Sequence, residues 1–173
     1  MTELSLYVLD IVQNSVTAGA SRIDVGLVEE DGTLTFTVKD NGRGMSAELL
    51  SNVLDPFTTT RTTRRVGLGL PFLKQAAGQT GGFLELTSEE GRGTELKAVF
   101  QAEHIDMPPL GDIKGTVVTL IQGSPDIRFV FDRGAYTLDT GDLREQLGDD
   151  VPLNDPDVLE WIGGYIGENE NAM

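Results

Sequence analysis

The sequence has no cysteine, one histidine and one tryptophan, and its 173 residues carry 13 lysines and arginines against 28 aspartates and glutamates. Without cysteine there is no disulfide framework, no thiolate metal site and no cysteine nucleophile. Positive charge is scarce, and a formal net charge of −15 argues against a surface that follows nucleic-acid phosphates over any length. No basic N-terminal region leads into an apolar run, and no apolar stretch approaches the roughly 20 residues of a membrane span. These absences predict a soluble, cytoplasmic protein that binds neither nucleic acid nor membrane. Apolar material is ample, with 39% hydrophobic residues, enough for the core of one domain or of one domain plus an extension. The charge is uneven: residues 1–104 carry 9 basic and 14 acidic side chains, net −5, and residues 105–173 carry 4 and 14, net −10. The plainest role of that acidity is solubility.

The chain turns on residues 37–45. Leu34, Phe36 and Val38 alternate with Thr33, Thr35 and Thr37, the period of a half-buried strand. Extended by two residues, the parity puts Asp40 on the apolar face, where a carboxylate without partners is costly. Asn41-Gly42-Arg43-Gly44 then breaks the strand. Two readings fit: a turn in which Asp40 bonds its own backbone, or an acceptor beside a bare backbone, suited to a flat, amine-bearing ligand such as adenine.

Upstream, Leu4, Tyr7, Val8, Ile11, Val12, Ser15 and Ala18 follow a helical stripe that Gly19 ends. Asp10, Asn14 and Thr17 lie beside it, either as a solvated face or as groups for a metal-bound polyphosphate. Ile23, Val25 and Leu27 alternate as a strand, and Asp31-Gly32 marks the hairpin into the next. Ser46 caps a short helix through Leu54. Residues 55–66 are polar, Thr-rich and basic, without periodicity, and read as a mobile loop. Gly67-Leu68-Gly69-Leu70-Pro71 opens a helix that Gly81-Gly82 ends. Glycines ahead of a helix, with Arg61, Arg64 and Arg65 upstream, make either a plain turn or a phosphate site. Strands follow at 83–88 and 94–101, and Thr94 shares a face with Leu96, Ala98 and Phe100. After His104 and the Pro108-Pro109 break, a helix is predicted from Leu110 to Ile121, then a hairpin of 127–131 with 136–138. Helices over 142–147 and 156–166 and a frayed end at 168–173 complete the chain.

Asp-x-x-x-Asn on a helix, Asp-x-Gly-x-Gly after a strand, Gly-Leu-Gly-Leu before a helix and Gly-x-Gly-Thr in a hairpin stand in one order. In that order they resemble the GHKL superfamily of gyrase, chaperone, histidine-kinase and mismatch-repair ATPases, over roughly residues 4–101. The first third, from Leu9-Asp10-Ile11-Val12-Gln13-Asn14 to Asp40-Asn41-Gly42-Arg43-Gly44, looks most like mismatch-repair ATPases. Asp55-Pro56-Phe57-Thr58-Thr59-Thr60, Gly67-Leu68-Gly69-Leu70 and Gly91-Arg92-Gly93-Thr94 look most like the histidine-kinase catalytic domain.

The resemblance implies an α+β fold of the Bergerat type, a two-layer sandwich with a mixed sheet and helices on one face. It places an ATP-binding domain at 1–104; the remaining residues, 105–173, are expected to form a small, acidic α+β extension packed on it, because Phe129, Phe131, Trp161 and Tyr165 are too apolar for a free segment. It implies ATP and Mg²⁺ as cofactors. Asn14 would hold the metal on the phosphates, Asp40 would accept from the adenine amine, and Gly42, Gly44 and Met45 would flank the base. Thr59, Thr60 and Arg61 would belong to a lid over residues 58–66. Gly67, Leu68, Gly69 and Leu70 would lie on the phosphate side, and Thr94 would support the adenine end. Asp10 stands where the gyrase and mismatch-repair branches place a catalytic glutamate, one methylene shorter. Only a few residues precede the first helix, leaving no room for the helical hairpin that carries a histidine kinase's phosphoacceptor. His104, beside Glu103 and Asp106, reads as a surface residue. The expectation is therefore a kinase-like protein that phosphorylates or regulates a separate partner. Its alternatives are a nucleotide-gated interaction module and a slow ATPase of the mismatch-repair type.

Overall fold

The computed structural model describes residues 3–53 and 69–173. Their order is α1 (Leu4–Thr17), β1 (Arg22–Glu30), β2 (Thr33–Asp40), α2 (Ala47–Val53), α3 (Gly69–Gln79), β3 (Phe83–Glu89), β4 (Gly93–Gln101), α4 (Ile113–Gly123), β5 (Arg128–Asp132), β6 (Thr137–Asp139), α5 (Thr140–Leu147) and α6 (Pro156–Asn171). The six strands form one sheet in the order β3-β4-β2-β1-β5-β6. All pairings are antiparallel except that of β1 with β5, which is parallel. The sheet is therefore mixed, as the α+β expectation requires.

Strand parity decides which side is covered. Ile23, Val25 and Leu27 of β1, Leu34, Phe36 and Val38 of β2, and Leu96, Ala98 and Phe100 of β4 are buried. The register places Phe36 between Leu27 and Ala98, so these rows form one apolar face. Phe129, Phe131 and Leu138 of β5 and β6 extend the same core. The helices bring the matching stripes, Leu4, Val8 and Val12 from α1, Leu73 and Ala77 from α3, Leu120 and Ile121 from α4, and Ile162 and Ile166 from α6. Each valine, leucine or isoleucine among them contributes about 1.5–3 kcal/mol on burial. The opposite face is largely polar, with Thr35, Thr37, Lys39, Glu95 and Lys97 on neighbouring strands.

Two boundaries differ from the sequence reading. Helix α4 begins at Ile113, not Leu110. Asp112 caps it by accepting from the Gly115 N–H at 2.9 Å, and residues 109–110 have other work: their carbonyls accept from the backbone N–H groups of Leu4 (2.9 Å) and Ser5 (3.0 Å). Those are first-turn donors of α1, which a helix cannot satisfy internally, and Glu3 offers them no side-chain cap. The C-terminus is not frayed from 168 either. Helix α6 runs to Asn171 because Glu170 is held from three sides, by Arg133 Nε (2.9 Å), Arg133 Nη2 (3.2 Å) and the Tyr136 hydroxyl (2.6 Å). The short helix after Ser46 forms as expected, with Ser46 Oγ accepting from the Leu49 N–H at 3.2 Å.

Candidate functional site

A cavity of about 210 Å³ opens between α1, the end of β2, the loop that follows it and the start of α3. Its walls are apolar, with Ile11, Val38, Leu70, Leu86 and Leu96, and its polar groups come from Asn14, Ser15, Asp40 and Thr94. Gly44 and Met45 form its rim together with Arg43.

Asp40 reaches this cavity because β2 keeps its parity to the last residue. Ser15 Oγ donates to Asp40 Oδ2 at 2.6 Å, and the Gly42 N–H donates to Oδ1 at 2.9 Å. Both sequence readings thus meet in one side chain, which closes its own turn and lines the cavity. An ionised carboxylate has about four acceptor positions, so two protein donors leave capacity for a ligand amine.

The loop after Asp40 is sewn to both neighbours. The Arg43 N–H donates to the Ala18 carbonyl at 2.9 Å, and the Gly91 N–H donates to the Arg43 carbonyl at 2.6 Å. The Met45 N–H donates to Ser88 Oγ at 2.8 Å, and that hydroxyl shares a 2.8 Å hydrogen bond with Thr94 Oγ1. Gly44 has φ +69°, and a Cβ there would overlap the Glu89 carbonyl oxygen. Glycine is needed at that position for the protein's own packing as well as its backbone conformation.

Asp10 lies one turn before Asn14 on α1. Its Oδ2 is buried and has no hydrogen-bond partner among the described residues, and burial raises its pKa above the usual carboxylate range. It packs against Gly69 so closely that a Cβ at Gly69 would overlap Oδ2. The contact joins α1 to the first residue of α3. Unsatisfied buried carboxylate oxygens are uncommon and concentrate where a ligand or reacting group belongs.

The structure gathers Asn14, Asp40, Gly44, Met45, Leu70 and Thr94 around one cavity and sets Asp10 against Gly69, with Gly42 bonded to Asp40. Thr59, Thr60, Arg61, Gly67 and Leu68, with the loop expected over 55–66, lie outside the described residues. Thr17, third in the polar stripe of α1, also lines the cavity. His104 does not: it is exposed in a turn, where its Nδ1 accepts from the Asp106 N–H at 3.0 Å. Ser15 and Ser88 join the site without being singled out by the sequence motifs; the signal each carries is a hydroxyl on an otherwise apolar stripe or strand face.

A mixed sheet with helices on one face, and a cavity between those helices and the sheet's end, are consistent with the GHKL (Bergerat) fold. The sequence model described as Histidine kinase-, DNA gyrase B-, and HSP90-like ATPase matches residues 2–104, and the chain belongs to that family. Among its relatives, the sensor kinase CckA of Brucella abortus is 26% identical over 85% of this chain and 18% of its own length. The sensory histidine kinase/phosphatase NtrB of Rhizobium leguminosarum is 44% identical over 35% of this chain and 16% of its own. The chain thus spans less than a fifth of either relative. Among solved structures, the Aquifex aeolicus MutL ATPase domain complexed with ADP aligns with a TM-score of 0.49 and 17% identity, over 85% of this chain and 68% of that one. No helix among the described residues is long and apolar enough to cross a membrane.

Proposed function

We propose that this chain binds ATP with Mg²⁺ in the cavity beside Asp40 and uses it to phosphorylate or regulate a separate protein. The observation that carries the reading is Asp40: a half-buried carboxylate with acceptor capacity to spare, on the wall of an apolar cavity. In this reading Asp40 accepts from the adenine amine, Gly42, Gly44 and Met45 flank the base, Thr94 supports it through Ser88, and Gly69 and Leu70 begin the phosphate end.

The donor set fits a nucleotide-borne metal. Among the described residues no three His, Asp or Glu side chains group to hold an ion. Mg²⁺ commonly takes only one or two protein oxygens and relies on phosphates for others. Asn14 would supply an amide oxygen to it. When bound, the ion neutralises phosphate charge. Asp10 would act as the base, since burial moves its pKa in the direction a general base needs. Asp10 Oδ2, without a partner among the described residues, also favours a second reading, slow hydrolysis of ATP, far below the roughly 1–10³ per second of ordinary turnover.

His104, the sole histidine of this sequence, is exposed and outside the cavity lining, so the reading gives it no part in the transfer. A cytoplasmic location without nucleic-acid contact belongs to the same reading. So does the division into a nucleotide-binding domain at 1–104 and an extension at 105–173 built onto its sheet.

Calorimetric titration with Mg-ATP tests the site. Asp40→Asn exchanges an acceptor for a donor and should weaken binding by about 1.5–3 kcal/mol, the usual worth of a hydrogen bond to a charged group. Unchanged affinity would remove the adenine assignment. Incubation of the chain with γ-labelled ATP and cell extract should yield a labelled protein. Release of labelled phosphate alone, lost in Asp10→Asn, would favour the slow-hydrolysis reading instead.

A further inference from the structure

Away from the nucleotide cavity, α5 and α6 leave an open apolar groove. Leu143 and Leu147, one turn apart on α5, line it with Val158 and Trp161 of α6, around a cavity of about 410 Å³. Trp161 is 54% exposed and Leu147 37%, a costly display for the chain's only tryptophan. The indole is braced. It stacks on Tyr165 at 5.5 Å and 14°, and Tyr165 donates its hydroxyl hydrogen to the Thr137 carbonyl at 3.2 Å. A rigid aromatic at the edge of an apolar slot is the usual anchor of a protein interface.

The surroundings select the partner's charge. Asp142, Glu145, Asp149, Asp150, Asp157 and Glu160 are exposed along α5, the linker and the first turns of α6, and none joins an ion pair among the described residues. Arg144 is the one basic residue between 140 and 161. A second copy of this chain, net −15, would be repelled, and so would anionic lipid. Two helices flanking an apolar slot accept a third helix laid between them.

We propose that the α5–α6 groove is the docking site for a basic amphipathic helix of a partner protein. The helix sets apolar side chains one turn apart against Trp161, Leu147 and Leu143, with lysines or arginines over the acidic rim. This is independent of the nucleotide reading, because the groove shares no residue with the ATP cavity and the test needs no ATP.

The test uses the full chain and a dye-labelled helical peptide with leucines at i, i+4 and i+7 and lysines elsewhere. Sole-tryptophan emission and peptide anisotropy report binding at one site. The basic peptide should bind saturably, shift Trp161 emission to the blue and weaken as salt rises. Replacing its lysines by glutamates, or its leucines by serines, should each cost about tenfold or more in affinity. Trp161→Ala should cost about tenfold or more as well, with an unchanged melting temperature because α6 packs through Val158, Ile162 and Ile166. Leu147→Ser should weaken binding in the same direction. The proposal is overturned by absence of saturable binding, by equal binding of the glutamate peptide, or by undiminished binding to both variants. It is equally overturned if anionic vesicles shift Trp161 emission in place of the peptide, or if sedimentation shows self-association that Trp161→Ala abolishes.

Discussion

Asp10 and Glu170 are both half-buried helix carboxylates, and their surroundings treat them oppositely. Burial raises the pKa of Asp10, and nothing among the described residues answers its Oδ2. Burial acts in the same direction on Glu170, but the hydrogen bonds from Arg133 and Tyr136 outweigh it and hold the group below its usual range. Tyr136 is in turn pushed well above the ordinary tyrosine value, by burial first and then by its bond to Glu170. The C-terminal third uses these charges to fasten α6 to β5 and β6, and Arg133 Nη1 also donates to the Leu27 carbonyl of β1. On α1, by contrast, Asp10 Oδ2 has no hydrogen-bond partner among the described residues. One carboxylate is answered by the fold's own polar groups and the other is not.

The hardest way to break that contrast is to remove the C-terminal third. Truncation after Gln101 strips β5 from β1 and α4 from α1, exposing Ile23, Val25, Val8 and the first turn of α1. The expected product is insoluble or lacks a cooperative melt. A soluble fragment with full ATP affinity would mean that the extension is a separate module.

Glu170→Ala is the next largest. Arg133 has only 7% side-chain exposure, and stranding a buried charge costs about 3–5 kcal/mol. Urea denaturation should show that loss, while the folded variant keeps its ATP affinity. A loss under about 0.5 kcal/mol, the range of ordinary surface changes, would make the network incidental.

Gly69→Ala probes the surroundings of Asp10. The added methyl meets Asp10 Oδ2, and overpacking of this kind costs about 1–3 kcal/mol. Asp10→Ala in the same chain should restore most of it, since the clash is with the carboxylate. A double-mutant cycle with no coupling would separate α1 from α3 at this point.

The smallest effect is in pH dependence, and its sign differs between the two carboxylates. The stability from Glu170, whose folded pKa is depressed, is present above the unfolded carboxylate pKa of about 4.3 and is lost as pH falls through its folded value. Asp10 is raised, so its contribution is present below its unfolded pKa and is lost as pH rises through the folded one. Glu170→Gln should therefore flatten the acid-side loss, and Asp10→Asn should gain on the parent toward neutral pH. Urea midpoints across the acid range distinguish the two, and parallel profiles for all three proteins would contradict the assigned shifts.

Sequence alone determined what is local or periodic. The stripe of Leu4, Val8, Ile11 and Val12 named the buried side of α1. The alternation of Leu34, Phe36 and Val38 carried Asp40 to the inner face, and the glycine-marked turns bounded the strands. These features are legible because a helix or strand shows its faces in its own spacing. Tertiary structure alone decided which faces meet. The parallel seat of β5 beside β1 has no turn signal, because a parallel pair is joined by a crossover and not by a hairpin. The capping of α1 by the Pro109 and Leu110 carbonyls joins residues far apart in the chain, and periodicity is silent on it. So it is with Ser15 on Asp40, Gly69 against Asp10, and Arg133 on Glu170, which turned an expected frayed end into an anchored helix. A side chain's type states what it can bond to, and only the packed fold decides what lies within reach.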